Sequence, residues 1–340
     1  MAYRVAVVGA TGAVGLEFLR VLERRRFPVA SLKLLASARS AGRRLEFAGE
    51  EHTVEALGAD SFEGAELALF SAGAAVSREF APVAARAGAL VVDNSSAFRM
   101  DPLVPLVIPE VNPASARRHQ GLIANPNCTT IVSLLAVAPI HRAAGVERFT
   151  AASYQAASGA GARAMRELES QVRAWAEGRR LEVEVFPHQI AFNLFPHVDQ
   201  FAENGYTREE LKMLYETRKI LNDNEIRVSA TCVRVPVLRA HSIALHLETR
   251  EKVTAARARE ILARAPGVLV EDDPAANRYP MPLAAAGSDE VRVGRVREDL
   301  SHERGLALFV VGDQLLKGAA LNAVQVAELA LGLAPAPVCG

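Results

Sequence analysis

The sequence predicts an α/β protein: an N-terminal doubly wound domain built on a parallel sheet, followed by a second, α+β domain. Three observations predict it. Short apolar strands alternate with helix patterns over the first 127 residues. A glycine-spaced turn joins the first strand to the first helix. After Cys128 the texture changes to longer alternating strands mixed with amphipathic helices.

Taken in order, Tyr3 to Val8 is apolar and β-branched and reads as a buried parallel strand. Leu16 to Arg26 repeats apolar residues at Leu16, Leu19 and Leu22, a helix period. Ser31 to Ala36, Leu67 to Ser71 and Leu90 to Asn94 are further strands, with a helix between the last two around Ser77 to Ala87. Thr129 to Ala138 predicts a buried helix and Phe149 to Gln155 a strand. Arg163 to Glu177 and Leu211 to Leu221 predict amphipathic helices. Arg227 to Val237, Ser242 to Thr249 and Leu306 to Gly312 predict strands, taken as an antiparallel set. The last helix, Ala319 to Leu331, is apolar on more than one face, so it is expected to pack back on the first domain. The predicted division is residues 1–127, completed by a C-terminal helix at 315–340, and residues 128–314.

The 340 residues are half hydrophobic, and 39 basic residues balance 39 acidic ones. The apolar fraction excludes a disordered chain. The charge balance argues against a nucleic-acid or membrane-surface binder. No apolar run is long enough to span a bilayer and no signal-peptide pattern opens the chain, so a cytoplasmic protein is expected. Three scattered cysteines, Cys128, Cys232 and Cys339, fit neither a disulfide framework nor a zinc site, and no metal is expected.

The glycine turn, Gly9 to Gly15, spaces three glycines three apart between strand and helix, a variant of the Rossmann dinucleotide fingerprint. Glycines permit the tight turn and close approach of a pyrophosphate to backbone N–H groups at a helix start. Gly9, Thr11, Gly12, Ala13 and Val14 are the expected cofactor contacts, against the plainer reading of a Gly-rich βα turn. The second strand ends in Ala36-Ser37-Ala38-Arg39-Ser40, without the carboxylate usual in NAD sites. Arg39, with the Ser37 and Ser40 hydroxyls, suits a 2′-phosphate and predicts NADP.

Asn125-Pro126-Asn127-Cys128-Thr129-Thr130 sets a cysteine between a polar loop and an apolar helix. Helix-start N–H groups favour the thiolate, so Cys128 is the candidate nucleophile. Cys232, inside a strand, and Cys339, near the terminus, read as inert small hydrophobes.

These two motifs, with Arg234-Val235-Pro236-Val237-Leu238-Arg239-Ala240-His241-Ser242, closely resemble the aspartate-β-semialdehyde dehydrogenase family. The likeness runs from the glycine turn to Gly318-Ala319-Ala320-Leu321-Asn322-Ala323. It implies a two-domain, NADP-dependent enzyme, homodimeric or homotetrameric, that reductively dephosphorylates L-aspartyl-4-phosphate to L-aspartate 4-semialdehyde for lysine, methionine, threonine and diaminopimelate synthesis. Cys128 resembles the family nucleophile, His241 its acid/base and Gln155 the residue orienting substrate. Arg99 and Lys212 resemble phosphate ligands, and Asn127 stands beside the nucleophile where it can help hold phosphate. Arg234 resembles the clamp on the substrate carboxylate, and Glu209 the partner of its amino group. Ser158 and Gly159, just after Gln155, are expected cofactor contacts, and Asn322 resembles a nicotinamide contact.

Simpler readings stand beside these. Glu209 and Lys212 are three apart and predict a surface ion pair. Thr207 and Glu210 form a capping-box pattern. His241 is equally readable as a structural histidine, and His188 and His197 read as packing groups. Arg234 and His241 lie on one strand-rich segment, whose extension is expected to place them at different parts of a cleft. Two rival functions remain: N-acetylglutamyl-phosphate reductase, which shares the chemistry, and a non-catalytic relative of the same fold.

Overall fold

The computed structural model describes residues 2–333, and the chain divides into two compact units, residues 1–127 with 319–340, and 128–318. Cys339 and the end of the expected helix 315–340 lie outside the described residues.

The first unit holds a seven-stranded sheet. Its strands are β1 (Tyr3–Val8), β2 (Val29–Ala36), β3 (Arg44–Phe47), β4 (Glu50–Ala56), β5 (Leu67–Phe70), β6 (Leu90–Asp93) and β7 (Leu122–Ala124). Their order is β3-β4-β2-β1-β5-β6-β7. Every pairing from β4 to β7 is parallel. The order reverses between β1 and β5, and ligands of open α/β sheets bind at such a switch point. Helices α1 (Ala13–Arg24) and α2 (Ala74–Arg86) make the crossovers that parallel strands require. Phe18, Val21 and Leu22 of α1 are fully or almost fully buried. Replacing Phe18 by Ala would cost about 3–5 kcal/mol.

The β3–β4 hairpin is antiparallel and was not legible in the sequence. Its turn, Ala48-Gly49, holds both residues at positive φ, as two-residue hairpin turns demand. Charged residues at Arg44, Glu46, Glu50 and Glu51 hide the strand pattern because this edge faces solvent.

The second unit is built on six strands: β8 (Val146–Gln155), β9 (Arg227–Arg234), β10 (His241–Thr249), β11 (Val268–Val270), β12 (Val291–Glu298) and β13 (Gly305–Gly312). Their order is β11-β12-β13-β10-β8-β9. This sheet is mixed rather than antiparallel throughout: β8 pairs with β9, and β11 with β12, in parallel. The long connection through α3 (Cys128–Ala144), which precedes β8, does not bear on this; α4 (Ala162–Ala176) and α5 (Arg208–Leu221), both between β8 and β9, supply the crossover. Helices α6 (Ala255–Ala263) and α7 (Pro282–Ala285) complete the unit. Residues 129–138 of α3 are all buried, which is why that helix is apolar on every side.

After β13 the chain takes a π-helical turn at Leu316–Ala320 and enters α8 (Leu321–Ala330) of the first unit. There Glu328 receives Nε and Nη2 of Arg25 at 2.8 and 2.6 Å, a two-pronged pair that fixes α8 beside the end of α1.

Candidate active site

The register of the second sheet assembles a cluster at one edge. Gln155 ends β8, directly opposite Arg234, which ends the parallel strand β9. The antiparallel β10 begins there at His241 and faces Gly312, the last residue of β13. The end of β8 and the connection from β9 to β10, which lie far apart in sequence, thus bring an amide, a guanidinium and an imidazole together. Residues 235–240 turn instead of continuing as strand, so Arg234 and His241 are not spread along an extended segment. Ala157 and Ser158 donate their N–H groups to the carbonyls of Val237 and Leu238 and hold that turn. A Cβ on Gly159 would stand 3.0 Å from Arg234 Nη1 and 3.1 Å from the His241 ring, so only glycine fits between them without displacement.

Cys128 opens α3, where backbone N–H groups lack helical partners. It is partly accessible, whereas Cys232 is enclosed in β9. Burial, reinforced by Glu209, pushes the Cys232 thiol far above the ordinary range and leaves it inert. Thr129, beside Cys128, is fully buried and central to the cluster. Its hydroxyl accepts from Gln155 Nε2 at 2.9 Å and donates to Glu209 Oε1 at 3.4 Å. Gln155 Nε2 also lies 3.2 Å from Ser153 Oγ and 3.3 Å from Glu209 Oε1.

Glu209 therefore does two things. Its Oε2 takes the expected i,i+3 contact with Lys212 Nζ at 3.0 Å, and its Oε1 turns inward to Thr129 and Gln155. Glu210 is occupied elsewhere: it completes the capping box with Thr207 and accepts from Cys232 N at 2.9 Å. Lys212 also meets Asp199 at 2.7 Å. Burial pulls its ammonium down, but Glu209 and Asp199 outweigh burial and hold it above the usual lysine range, so it stays charged.

Arg234 is almost completely buried, donates Nη1 to Ala156 O at 2.6 Å and lies 5.7 Å above the Phe186 ring. Burial lowers its pKa, opposed by Glu209 and Cys128. His241 is fully buried. Its Nδ1 accepts from Ala156 N at 3.1 Å, which places the ring proton on Nε2. Nε2 itself is enclosed with no partner. Burial, then the nearby Arg234, pushes the ring pKa down to about 3, so the imidazole is neutral at physiological pH. A neutral ring with its proton on Nε2 is a hydrogen-bond donor.

Three residues here escaped the sequence reading. Thr129 lay inside the cysteine motif without a role. Gly318 is a glycine within a helical turn: a Cβ there would fall 2.8 Å from Cys128 Cβ. Gln314 accepts from Ala240 N at 2.8 Å and donates to Ser158 Oγ. An isolated glycine in a helical run was the one signal the sequence offered. His188 packs edge-on against Phe195, and His197 stacks on Phe201. No group of three potential metal ligands occurs among the described residues.

The first unit carries the glycine turn. Gly9 holds φ at 83°, and a Cβ on it would lie 2.3 Å from Ser71 O. A Cβ on Gly15 would lie 2.2 Å from Gly9 O. α1 starts at Ala13 with no side-chain cap, leaving its first N–H groups to an anion. Thr11 Oγ1 donates to Ser40 Oγ at 3.4 Å, joining the turn to the end of β2, where Ser37 and Arg39 are exposed. The side-chain amide of Asn94, at the carboxyl end of β6, is enclosed with neither atom partnered, as expected where a ligand completes the site. These features fit a dinucleotide. Arg99 donates Nε to Asn125 O and Nη2 to Asn94 O, and Asn127 is buried at the end of the same loop. Asn322 is fully buried in α8, and its amide nitrogen donates to Val107 O at 3.0 Å and Asn125 Oδ1 at 2.7 Å, which ties it to the loop before Cys128.

A nucleotide-type sheet and a thiol-bearing α+β unit define the class of semialdehyde dehydrogenases. Residues 4–119 match the family described as semialdehyde dehydrogenase, NAD binding domain, and residues 137–317 match semialdehyde dehydrogenase, dimerisation domain. The chain is 56% identical over 333 residues to an aspartate-semialdehyde dehydrogenase of Aquifex aeolicus, covering 97% of this chain and 98% of that one. It is 53% identical over 326 residues to the Synechocystis enzyme of the same name, covering 96% of each. The solved structure of aspartate semialdehyde dehydrogenase II from Vibrio cholerae, complexed with ASA, superposes with a TM-score of 0.93 at 46% identity, covering 98% of this chain and 99% of that one. This chain belongs to the aspartate-semialdehyde dehydrogenase family, and it is an oxidoreductase of amino-acid biosynthesis.

Proposed function

We propose that this enzyme converts L-aspartyl-4-phosphate and NADPH to L-aspartate 4-semialdehyde, phosphate and NADP. The observation that carries the substrate is the buried Glu209 carboxylate in one cluster with Arg234. Glu209 takes the substrate ammonium and Arg234 its carboxylate, so a free amino acid fits and an N-acetylated one leaves Glu209 unmatched. Gln155, held by Thr129, orients the acyl group beside Cys128.

The Cys128 thiolate attacks the acyl carbon, and the carbon–oxygen bond to phosphate breaks, giving a thioester and inorganic phosphate. Lys212, fixed as a cation, receives phosphate, with Arg99 and Asn127 assigned to the same ion. A dinucleotide held at the glycine turn would supply the hydride that reduces the thioester carbon. The resulting oxyanion accepts a hydrogen bond from His241 Nε2, and N–H groups at the start of α3 offset its charge. Its collapse to the aldehyde breaks the carbon–sulfur bond and regenerates the Cys128 thiolate, with no net proton taken up.

Arg39 with Ser37 and Ser40 supports NADP over NAD, because the end of β2 carries a guanidinium and hydroxyls where a ribose-binding carboxylate would stand. Gly9, Thr11, Gly12, Ala13 and Val14 hold the pyrophosphate, and Ser158 and Gly159 border the nicotinamide. Exposed Trp175, Phe192 and Phe201 of the second unit support a homodimer. The thiols of Cys128 and Cys232 suit the reducing cytosol, and no described helix is long and apolar enough to cross a membrane.

The test is phosphate-dependent NADP reduction with aspartate semialdehyde, run beside N-acetylglutamate semialdehyde. Turnover of the first and not the second is expected. Preference for the acetylated aldehyde would overturn the assignment.

A further inference from the structure

His241 is preceded by a residue in an unfavourable conformation. Ala240 holds φ at 72° and is fully buried. A left-handed alanine crowds its own Cβ, so its surroundings must hold it there. Two contacts from the end of β13 do so. Arg239 Nε donates to Asp313 Oδ2 at 2.6 Å, and Ala240 N donates to Gln314 Oε1 at 2.8 Å. Asp313 is itself fixed: it is fully buried and accepts from Gly287 N at 2.7 Å and from Leu315 N and Leu316 N at 2.9 and 3.2 Å. Because His241 pairs with Gly312, the anchor at Asp313 follows directly from the strand that flanks the imidazole.

We infer that Asp313 and Arg239 are positioning residues for His241: their ion pair, acting through the left-handed Ala240, aims the ring so that Nδ1 takes the Ala156 N–H and Nε2 presents its N–H as a hydrogen-bond donor. This rests on the role of His241 proposed above. If the pair is lost, Ala240 relaxes, the ring turns, and the hydrogen bond that fixes the tautomer is lost with it. The chain from Asp313 to Ala156 acts through the His241 ring, so its effect is read in kcat, where Nε2–H meets the developing oxyanion.

The experiment compares Arg239→Gln, Arg239→Lys and Asp313→Asn in the full-length enzyme. Arg239→Gln should lower kcat about 10-fold, the scale of a misaligned hydrogen-bond donor. The Michaelis constants for phosphate and aspartate semialdehyde should stay within about 2-fold, and Arg239→Lys should recover part of the loss. Nitrogen-15 spectra of labelled histidine, with the His241 signals located by difference from His241→Asn, should show one Nε2–H tautomer in the parent and an averaged pair of shifts in Arg239→Gln. If Asp313→Asn does not fold, the two Arg239 variants carry the test, since Arg239 is partly exposed. Unchanged kcat with an unchanged His241 spectrum overturns the inference, and so does a rise in both Michaelis constants with that spectrum unmoved. A parent enzyme that fails to turn over aspartate semialdehyde sinks the functional proposal instead, while the histidine spectra still decide whether Arg239 controls the tautomer.

Discussion

The glycine turn of the first unit and the sheet edge of the second are built from different materials. The turn is made of backbone: Gly9 and Gly15 leave no room for a Cβ, and α1 offers uncapped N–H groups. The edge is made of side chains: Gln155, Arg234 and His241 are aligned by strand register, and Glu209 joins them from helix α5. A main-chain site tolerates any side chain that keeps the backbone path. A side-chain site fails when one member moves by a fraction of an ångström. Substitutions in the edge should therefore strike turnover, and substitutions around the turn should strike cofactor affinity.

The largest effect that sharpens this contrast is expected at Cys128. Cys128→Ser should reduce turnover on the order of 10^4-fold, as removal of a covalent nucleophile does. NADP binding, followed by fluorescence titration, should stay at the parent value, because the turn lies elsewhere in the chain. Cys232→Ser should keep parent kinetics, since that thiol is enclosed and held protonated. A Cys232 variant as inactive as the Cys128 variant would break the assignment of the nucleophile.

Around the turn, Arg39→Ala should weaken NADP binding by about 1.5–3 kcal/mol, the range for a hydrogen bond to a charged group, and change NAD binding little. kcat at saturating NADP should be nearly unchanged. Calorimetric titration with both dinucleotides measures it. Equal weakening of both would remove Arg39 from the 2′-phosphate.

The same contrast explains what could be read from the sequence. The turn is local. Strand, three glycines, helix and the end of the second strand all fall within residues 3–40, so spacing alone announced a dinucleotide site. The edge is not local. Nothing in the residues around Arg234 or Glu209 shows that they meet Gln155, and the roles of Lys212 and Arg234 came from family resemblance. Register decided the outcome: β9 runs parallel to β8, and residues 235–240 turn, so Arg234 and His241 flank Gly159. Nor does the sequence around Asn322 show that its amide donates to Val107 O and Asn125 Oδ1, which tie it to the loop before Cys128.

A smaller effect is expected at Gly159, where the two kinds of site come closest in character. A Cβ there would press on Arg234 Nη1 at 3.0 Å and on His241 Cε1 and Nε2 at 3.1 and 3.2 Å. Its φ is not in the left-handed region, so alanine meets no backbone penalty and the protein should fold normally. Gly159→Ala should lower kcat about 10-fold by displacing both groups slightly. Parent-like kcat in steady-state assays would show that the edge tolerates more movement than its packing indicates.

The smallest effect separates the edge from the turn by acid stability. In the unfolded chain His241 titrates near its ordinary value of 6.5, and in the folded protein burial, with Arg234, depresses it to about 3. Between those values the unfolded chain binds a proton that the folded protein does not. Stability is therefore flat with respect to this group above pH 6.5 and falls as pH drops toward 3. His241→Asn removes that titration while its side-chain oxygen can still accept from Ala156 N. Denaturant unfolding at pH 7.5 and pH 5 should show a smaller acid loss for the variant than for the parent. Thr11→Ser, in the turn, should keep the parent difference. Identical pH dependence in parent and His241→Asn would mean that the folded imidazole takes up its proton as freely as the unfolded one. The neutral, Nε2-protonated donor would then lose its basis.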